Sequence, residues 1–408
     1  MNEAMSDDLR PEYRREDLGP GVRGKYFLKH SPFTKILDSW PEERVREYIG
    51  QIGPNDVSRA LAHEQPHPED LAALLSPHAA SHLEDMARLA HRLTRRHFGR
   101  TVGLYAPLYL SNVCISDCTY CFYAKHSGSQ GARQTLSPDE IRAECESLAK
   151  HGFKSVLLVT GDAPKVVPPP YIAQAVAIAL DYFPSVSVEV YALEENDYHN
   201  LVAQGLEGVT LYMETYHRPT YSQVHLTGKK RDFDYRLGAI ERAGRAGVRK
   251  LSIGALLGLY DWRLEGFWLG LHARYLQKEC WQSAISISFP RLLHAPPRHR
   301  ALHPISDRDL VQLMLALRIF LPEVGFNLST REPASLRDRL IPLGVTMMSA
   351  GSSTRPGGYT HFDEDILAQF EVEDRRSPAE VAEAIRRAGY DPVWKDFDYG
   401  FYEGYDQR

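Results

Sequence analysis

Three cysteines, Cys114, Cys118 and Cys121, lie on one short stretch directly after the apolar run Leu104–Leu110. The spacing CxxxCxxC puts three thiolates on a loop at the end of a strand. Each can hold one iron of a cubane cluster, which leaves the fourth iron without a protein ligand and open to a substrate or cofactor. Zinc is the competing reading, but structural zinc takes four ligands, usually from two CxxC-like hooks, and no second hook exists here. The remaining cysteines stand apart. Cys145 falls on the apolar face of a helix with Ile141 and Leu148, and Cys280 sits alone beside Trp281, so both read as small structural residues. Five cysteines, an odd number, also argue against a disulfide framework.

A loop that carries an open iron needs a scaffold with an accessible end. From Thr101 onward, short apolar runs alternate with longer amphipathic ones, the pattern of βα units. Eight strands are expected: Leu104–Leu110, Ser155–Thr160, Val186–Tyr191, Gly208–Met213, Lys250–Leu256, Ala284–Ser288, Gly325–Leu328 and Val345–Ser349. Ser137–His151 is the clearest helix between them, with Ser137 as N-cap, Pro138 at the first position and Glu140 completing a capping box. Helices are also expected over Tyr171–Tyr182, Asn196–Gln204, Phe233–Ala246, Phe267–Gln277, Ser306–Leu321 and Pro378–Ala388. Eight strands with interleaved helices point to the α/β class and a (β/α)8 TIM-type barrel, although periodicity alone also allows a doubly wound sheet; either places the active site at the carboxyl ends of the strands. The expected organisation is an N-terminal helical extension over 1–100, including a helix within Pro77–Phe98, the barrel over 101–350, and a C-terminal extension over 351–408 that packs on the barrel.

Composition narrows the class of partner. The chain has 408 residues, 43% hydrophobic and 25% charged, enough apolar material for a sizeable core. Its formal net charge of −5 gives no reason to expect nucleic acid. The runs Lys229-Lys230-Arg231 and Arg14-Arg15 read as solvated faces, and His294, His299 and His303 as exposed loop histidines. The polar, acidic amino terminus lacks the pattern of a secretory signal, and no apolar stretch is long enough for a membrane helix. A cytoplasmic protein acting on a small molecule is expected.

The cysteine loop, with Tyr120 before the third cysteine, resembles the CxxxCxΦC signature of the radical S-adenosylmethionine superfamily. Further motifs follow in order between Ala73 and Asp398: LYLSN at Leu108–Asn112, LLVTG at Leu157–Gly161, ETYH at Glu214–His217, GKK at Gly228–Lys230, SFPRL at Ser288–Leu292, LSTRE at Leu328–Glu332, PGGY at Pro356–Tyr359 and PVWKD at Pro392–Asp396. As a set they are similar to the ThiH family, the tyrosine lyases or 2-iminoacetate synthases of thiamine biosynthesis. That resemblance implies one [4Fe-4S] cluster on Cys114, Cys118 and Cys121, with S-adenosyl-L-methionine on the open iron through its amino and carboxylate groups, and Tyr120 near the adenine. It implies cleavage of the Cα–Cβ bond of L-tyrosine to 2-iminoacetate and p-cresol. The implied partners are thiazole synthase, to receive the imine, and reduced flavodoxin or ferredoxin as electron source. No cysteine follows Cys280, so a second, carboxyl-terminal cluster such as the related hydrogenase-maturing enzyme carries is disfavoured.

Each further site residue has a chemical reason. Thr160, Gly161 and Asp162 end the second strand, where a bare glycine backbone can approach the amino group of S-adenosylmethionine. Glu189 can accept ribose hydroxyls. Arg291, after Ser288 and Pro290, is suited to grip an amino-acid carboxylate in bidentate fashion, with Ser288 beside it. Glu214, Tyr216 and His217 can bind the substrate's amino or phenolic group or relay a proton. Ser329, Thr330 and Arg331 end the seventh strand and are similar candidates. The chain departs from the family's usual residues at Phe122, Asp162, Tyr191 and Met213. Those departures keep open a lyase of another aromatic amino acid such as tryptophan, and a non-catalytic barrel scaffold for thiazole synthase is the rival from another class.

Overall fold

The helix Pro138–Lys150 begins where its sequence says it should. The Glu140 amide donates to Ser137 Oγ at 3.3 Å, and the Ser137 amide donates to Glu140 Oε2 at 2.6 Å. The same reciprocal cap opens the helices Asp307–Phe320, through Ser306 and Asp309, and Pro378–Arg387, through Ser377 and Glu380. Such caps fix the points at which each amphipathic run turns back onto the sheet.

That sheet is closed. In the computed structural model, which describes residues 31–299, 303–361 and 363–394, the strands are β1 (Thr101–Ser111), β2 (Ser155–Thr160), β3 (Ser185–Glu189), β4 (Gly208–Thr210), β5 (Lys250–Gly254), β6 (Ala284–Ser288), β7 (Gly325–Leu328), β8 (Met347–Ser349) and β9 (Asp391–Val393). All pairings between them are parallel, running in order from β2 to β8, then to β1, with β1 also joined to β2. The fold is therefore the (β/α)8 barrel, and the doubly wound alternative is set aside. β9 adds to the first residues of β1, with Thr101 opposite Asp391 and Gly103 opposite Val393.

The eight expected strands are all present with small shifts in their ends. Beyond β4, the Leu211 and Met213 amides still donate to Ser252 and Gly254 carbonyls, so the extended path continues alongside β5. Phe233–Ala246 is two helices, Phe233–Leu237 and Ala239–Arg245, parted at Gly238. The helices Arg218–Val224 and Ala334–Leu340, and the strand β9, were not foreseen; each is too short to show a period in the sequence.

Apolar side chains on the outer face of the strands meet the surrounding helices, and this layer is the core: Val102, Leu104, Ala106 and Leu108 of β1 are all buried. Cys145 and Cys280 are buried free thiols, as their positions suggested. The N-terminal helices pack against the flank formed by the helices Trp262–Glu279 and Asp307–Phe320. Gln312 Nε2 donates to the Leu74 and Ser76 carbonyls there, so its buried amide is satisfied. Among the described residues, no helix is long and apolar enough to cross a membrane. Residues 1–30 and 395–408, with Arg14-Arg15 and the end of the PVWKD motif, lie outside the described residues.

After β8 the chain returns over the carboxyl-terminal mouth of the barrel. Tyr123 donates to the Thr354 carbonyl at 2.7 Å, Tyr109 to Gln369 Oε1 at 2.6 Å, and Asn112 Nδ2 to the Leu367 carbonyl at 3.1 Å. These bonds tie the later segment to β1 and to the cysteine loop.

Candidate active site

The cysteine loop leaves β1 at Ser111 and is pinned at both ends. The Ile115 amide donates to the Asp162 carbonyl (2.8 Å), and the Leu226 amide to the Asp117 carbonyl (3.1 Å). Arg298 donates to Asp117 Oδ1 at 2.6 Å and, with His126, holds its carboxyl down to about 2. Two glycines allow this close packing. A Cβ on Gly161 would lie 2.2 Å from the Val113 carbonyl oxygen, and one on Gly228, at φ +85°, 2.3 Å from Ser116 Oγ.

Cys114, Cys118 and Cys121 all face one cavity beyond β2 and β3, together with Thr160, Gly161 and Asp162. Burial raises their thiols, Cys114 to about 11 and Cys118 to about 12. Among the described residues, no three His, Cys, Asp or Glu side chains converge as ligands of a single ion. A cluster makes a different demand, because each thiolate takes a different iron. Thr160 Oγ1 and Asp162 Oδ1 are buried in this cavity without a hydrogen-bond partner, while the other Asp162 oxygen accepts from Ser116 Oγ at 2.5 Å. Two orphaned polar atoms beside three thiols suit a polar ligand bound at an iron, and the residues fit a cluster with S-adenosylmethionine.

Tyr120 points the other way along the loop. His225 Nδ1 lies 2.9 Å from the Tyr221 carbonyl and must carry the proton, so its bare Nε2 accepts from the Tyr120 hydroxyl at 2.8 Å. Burial keeps His225 neutral. His299, expected as an exposed loop histidine, instead bonds Thr119 Oγ1 (2.9 Å) and stands edge-on to Tyr120.

A second cavity adjoins the first over the barrel axis; the two share Cys121, Val159, Glu189, Tyr212, Glu214, Lys230 and Gln369. Burial, and the charge of Glu214, push Glu189 up to about 7. Burial would raise Glu214 as well, but Lys230 and Arg236 outweigh it and hold the carboxyl below its ordinary value. Lys230 Nζ donates to Glu214 Oε1 at 2.7 Å. The run Lys229-Lys230-Arg231 is thus no uniform solvated face. Its flanking cations are exposed, whereas Lys230 turns inward because a buried carboxylate needs a partner.

Three adjacent residues expected to act together are separated. Glu214 lies at φ +68°, in the left-handed region that side chains other than glycine's rarely adopt. The turn aims its carboxylate into the cavity and sends the next residues outward. Glu265 accepts from the Thr215 hydroxyl and from the Tyr216 amide. Tyr216 is buried with its hydroxyl on His272 Nδ1 (2.8 Å), and His217 Nε2 meets Glu42 at 3.0 Å while its ring stacks on Tyr260. Neither lines the cavity, so the expected substrate contacts of Tyr216 and His217 are corrected to packing contacts, Tyr216 with the helix Trp262–Glu279 and His217 with the N-terminal helix Glu42–Gln51.

Arg291 is corrected in the same way. Its guanidinium is bidentate to Glu332 and bonds Asp307 at 2.8 Å; it does not line either cavity. Bidentate geometry was the right expectation with the wrong carboxylate. The arginine that does face the second cavity, beside Lys230, is Arg331, whose guanidinium lies over the Phe370 ring at 3.7 Å and has no hydrogen-bond or ion-pair partner among the described residues. Ser288, Ser329 and Thr330 line the same cavity. Of the departures from the family pattern, Phe122, Asp162 and Tyr191 line one cavity or the other, and Tyr191 donates to the Val167 carbonyl; Met213 is buried and lines neither.

Comparison with known proteins adds sequence to this geometry. Residues 108–267 match the Radical SAM superfamily, and residues 288–391 match the Biotin and Thiamin Synthesis associated domain. The chain is 42% identical over 360 residues to the 2-iminoacetate synthase of Salmonella typhimurium, covering 88% of this chain and 94% of that protein. It is equally identical, over the same shares, to the 2-iminoacetate synthase of Escherichia coli. Among solved structures, HydG, a maturase of the [FeFe]-hydrogenase, superposes with a TM-score of 0.83 at 33% identity, covering 89% of this chain and 82% of that chain.

Proposed function

Because the chain belongs to the 2-iminoacetate synthase family of radical S-adenosylmethionine enzymes, we propose that it cleaves the Cα–Cβ bond of L-tyrosine to 2-iminoacetate and p-cresol. The observation that carries this is the coincidence of a near full-length match at 42% identity with two adjoining cavities, one lined by Cys114, Cys118 and Cys121 and the other by the unpaired guanidinium of Arg331.

When bound, one [4Fe-4S] cluster and S-adenosyl-L-methionine would supply the electron and the radical chemistry needed to remove hydrogen from the substrate. The protein's part is holding and excluding. Cys114, Cys118 and Cys121 hold the cluster; Cys145 and Cys280 are buried in the core, which supports a count of one. Thr160, Gly161 and Asp162 would receive the polar end of the sulfonium ligand, Glu189 its ribose and Tyr120 its adenine. Arg331 holds the tyrosine carboxylate, with Ser288, Ser329 and Thr330 as neighbouring hydroxyls. Glu214, kept ionised by Lys230 and Arg236, faces the amino or phenolic group, and Lys230 is placed to move a proton with it.

Reduced flavodoxin or ferredoxin is the proposed electron source, and thiazole synthase the receiver of the imine for thiamine biosynthesis. A cytoplasmic setting goes with both. The test is anaerobic reconstitution with iron and sulfide, followed by reductant, S-adenosylmethionine and L-tyrosine. p-Cresol and glyoxylate are expected in equal amounts. 5′-Deoxyadenosine without either product would overturn the tyrosine reading, and product from tryptophan instead would assign the other aromatic lyase.

A further inference from the structure

A carboxylate buried without a counter-charge is costly, and Glu265 is one. It is 1% exposed, and burial pushes it up to about 7. No cation pairs with it among the described residues; it holds instead a stretch of chain from the preceding βα unit. Thr215 Oγ1 and the Tyr216 amide both donate to it, the amide at 2.9 Å, and the His217 amide donates to the same Thr215 hydroxyl at 3.1 Å. Glu265 sits in the first turn of the helix Trp262–Glu279, where the helix terminus favours an anion, and its own amide donates to the Asp261 carbonyl at 3.0 Å.

The stretch so held begins immediately after Glu214, the one non-glycine residue at positive φ among the described residues. Such a conformation persists only where its surroundings over-determine it. On the near side, the Met213 amide donates to the Gly254 carbonyl at 3.1 Å, and the Leu256 amide donates to the Glu214 carbonyl at 2.7 Å. Both bonds run to β5 and its continuation. On the far side the hold is Glu265, on the helix that follows β5. One βα unit therefore clamps the turn from both ends, and between the two clamps the Glu214 carboxylate meets Lys230 Nζ at 2.7 Å.

We propose that Glu265 is a positioning residue for the reaction: by accepting from Thr215 and Tyr216 it holds Glu214 in the left-handed conformation that keeps its carboxylate in the cavity, against Lys230. Neither Glu265 nor Thr215 lines either cavity, so both act through Glu214 and not on the substrate. The task requires an acceptor on each oxygen. A glutamine of the same shape offers one acceptor and turns its NH2 toward the other donor, so that one of the two bonds is lost. With the next peptide released, Glu214 relaxes to negative φ and its carboxylate swings away from Lys230.

The inference rests on the tyrosine-lyase reading of Glu214, and the experiment keeps the two apart. Glu265→Gln, Thr215→Val and Glu214→Gln are made in the full-length chain, with Thr215→Ser as the conservative control and Glu265→Gln combined with Glu214→Gln as a double variant. After reconstitution, Glu265→Gln and Thr215→Val should each lower kcat for p-cresol roughly 10- to 100-fold with KM for tyrosine within about twofold, and Thr215→Ser should stay near wild type. The double variant should be no slower than Glu214→Gln alone, because the clamp then has nothing left to position. Losses that multiply in the double variant would overturn the inference, as would a wild-type kcat in both Glu265→Gln and Thr215→Val. A crystal structure of cofactor-free Glu265→Gln reads the placement directly. Glu214 should lie at negative φ with its bond to Lys230 broken; positive φ with that bond kept would defeat the proposal. Should Glu265→Gln fail to fold, Thr215→Val carries both measurements. A wild-type protein that makes no p-cresol would sink the lyase reading, and the φ of Glu214 in the variant would still decide what Glu265 holds.

Discussion

The two halves of the barrel interior are built from opposite chemistry. At the carboxyl-terminal end, Glu189, Glu214, Lys230 and Arg331 crowd one cavity, and Arg236 reaches Glu214 from outside it at 3.7 Å. Toward the amino-terminal end the cavity is lined by serines, threonines and glycines with Met347 and other apolar side chains, and the charged residues there are Lys250 and Glu323. Buried charges are costly unless paired, so the upper half fixes geometry at the expense of stability. Neutral hydroxyls cost little to bury when they are hydrogen-bonded.

The contrast can be broken most severely at the cluster. Cys118→Ala removes one of three iron ligands, so p-cresol formation should fall by at least about a thousandfold while the circular dichroism spectrum stays that of the wild type. Retention of more than a few per cent of activity would show that another residue ligates.

The two arginines sharpen the comparison next. Arg291→Ala strands Glu332 without its bidentate partner in a buried site, and should cost about 3–5 kcal/mol in urea unfolding with little change in KM for tyrosine. Arg331→Ala should do the reverse, raising KM by about 10- to 100-fold, the worth of about 1.5–3 kcal/mol for a charged hydrogen bond, with the melting temperature nearly unchanged. If both variants moved the same parameter, the assignment of carboxylate binding to Arg331 would fail.

A smaller effect follows from Glu189. Its folded value near 7 lies above the ordinary 4.5, so folding favours the protonated form. The stability this contributes is full below about pH 4.5 and is lost as pH rises through 7. Glu189→Gln should therefore make the cofactor-free protein more stable than wild type at pH 8, by on the order of 1–3 kcal/mol, and the gap should close near pH 4.5. An equal gap at both pH values would rule this out. Smallest is Ser286→Ala, which removes the 3.1 Å hydrogen bond that Asn327 Nδ2 donates to Ser286 Oγ and should cost less than about 1 kcal/mol and leave kcat unaltered; a tenfold fall in kcat would mean that this bond serves the reaction.

The parts of the site legible in the sequence were those set by local spacing. Three cysteines on one loop, a glycine where two backbones meet, and Ser137 with Glu140 at a helix start all act over a few residues, so their neighbours in sequence are their neighbours in space. The misplaced residues were set by distant partners. Tyr216 answers to His272, His217 to Glu42, and Arg291 to Glu332. Lys230 read as one of three solvated cations until Glu214 was seen to turn toward it at a left-handed residue, and no alternation in the sequence marks that turn.

The sequence by itself determined the cluster loop, the eight strands and, through the ordered motifs, the family. Those are periodic or contiguous signals, and covalent spacing fixes them before the chain closes. Only the tertiary structure decided which cation meets the cavity and which is spent on a neighbouring carboxylate, because that depends on which side chains are brought close when the ends of eight strands converge.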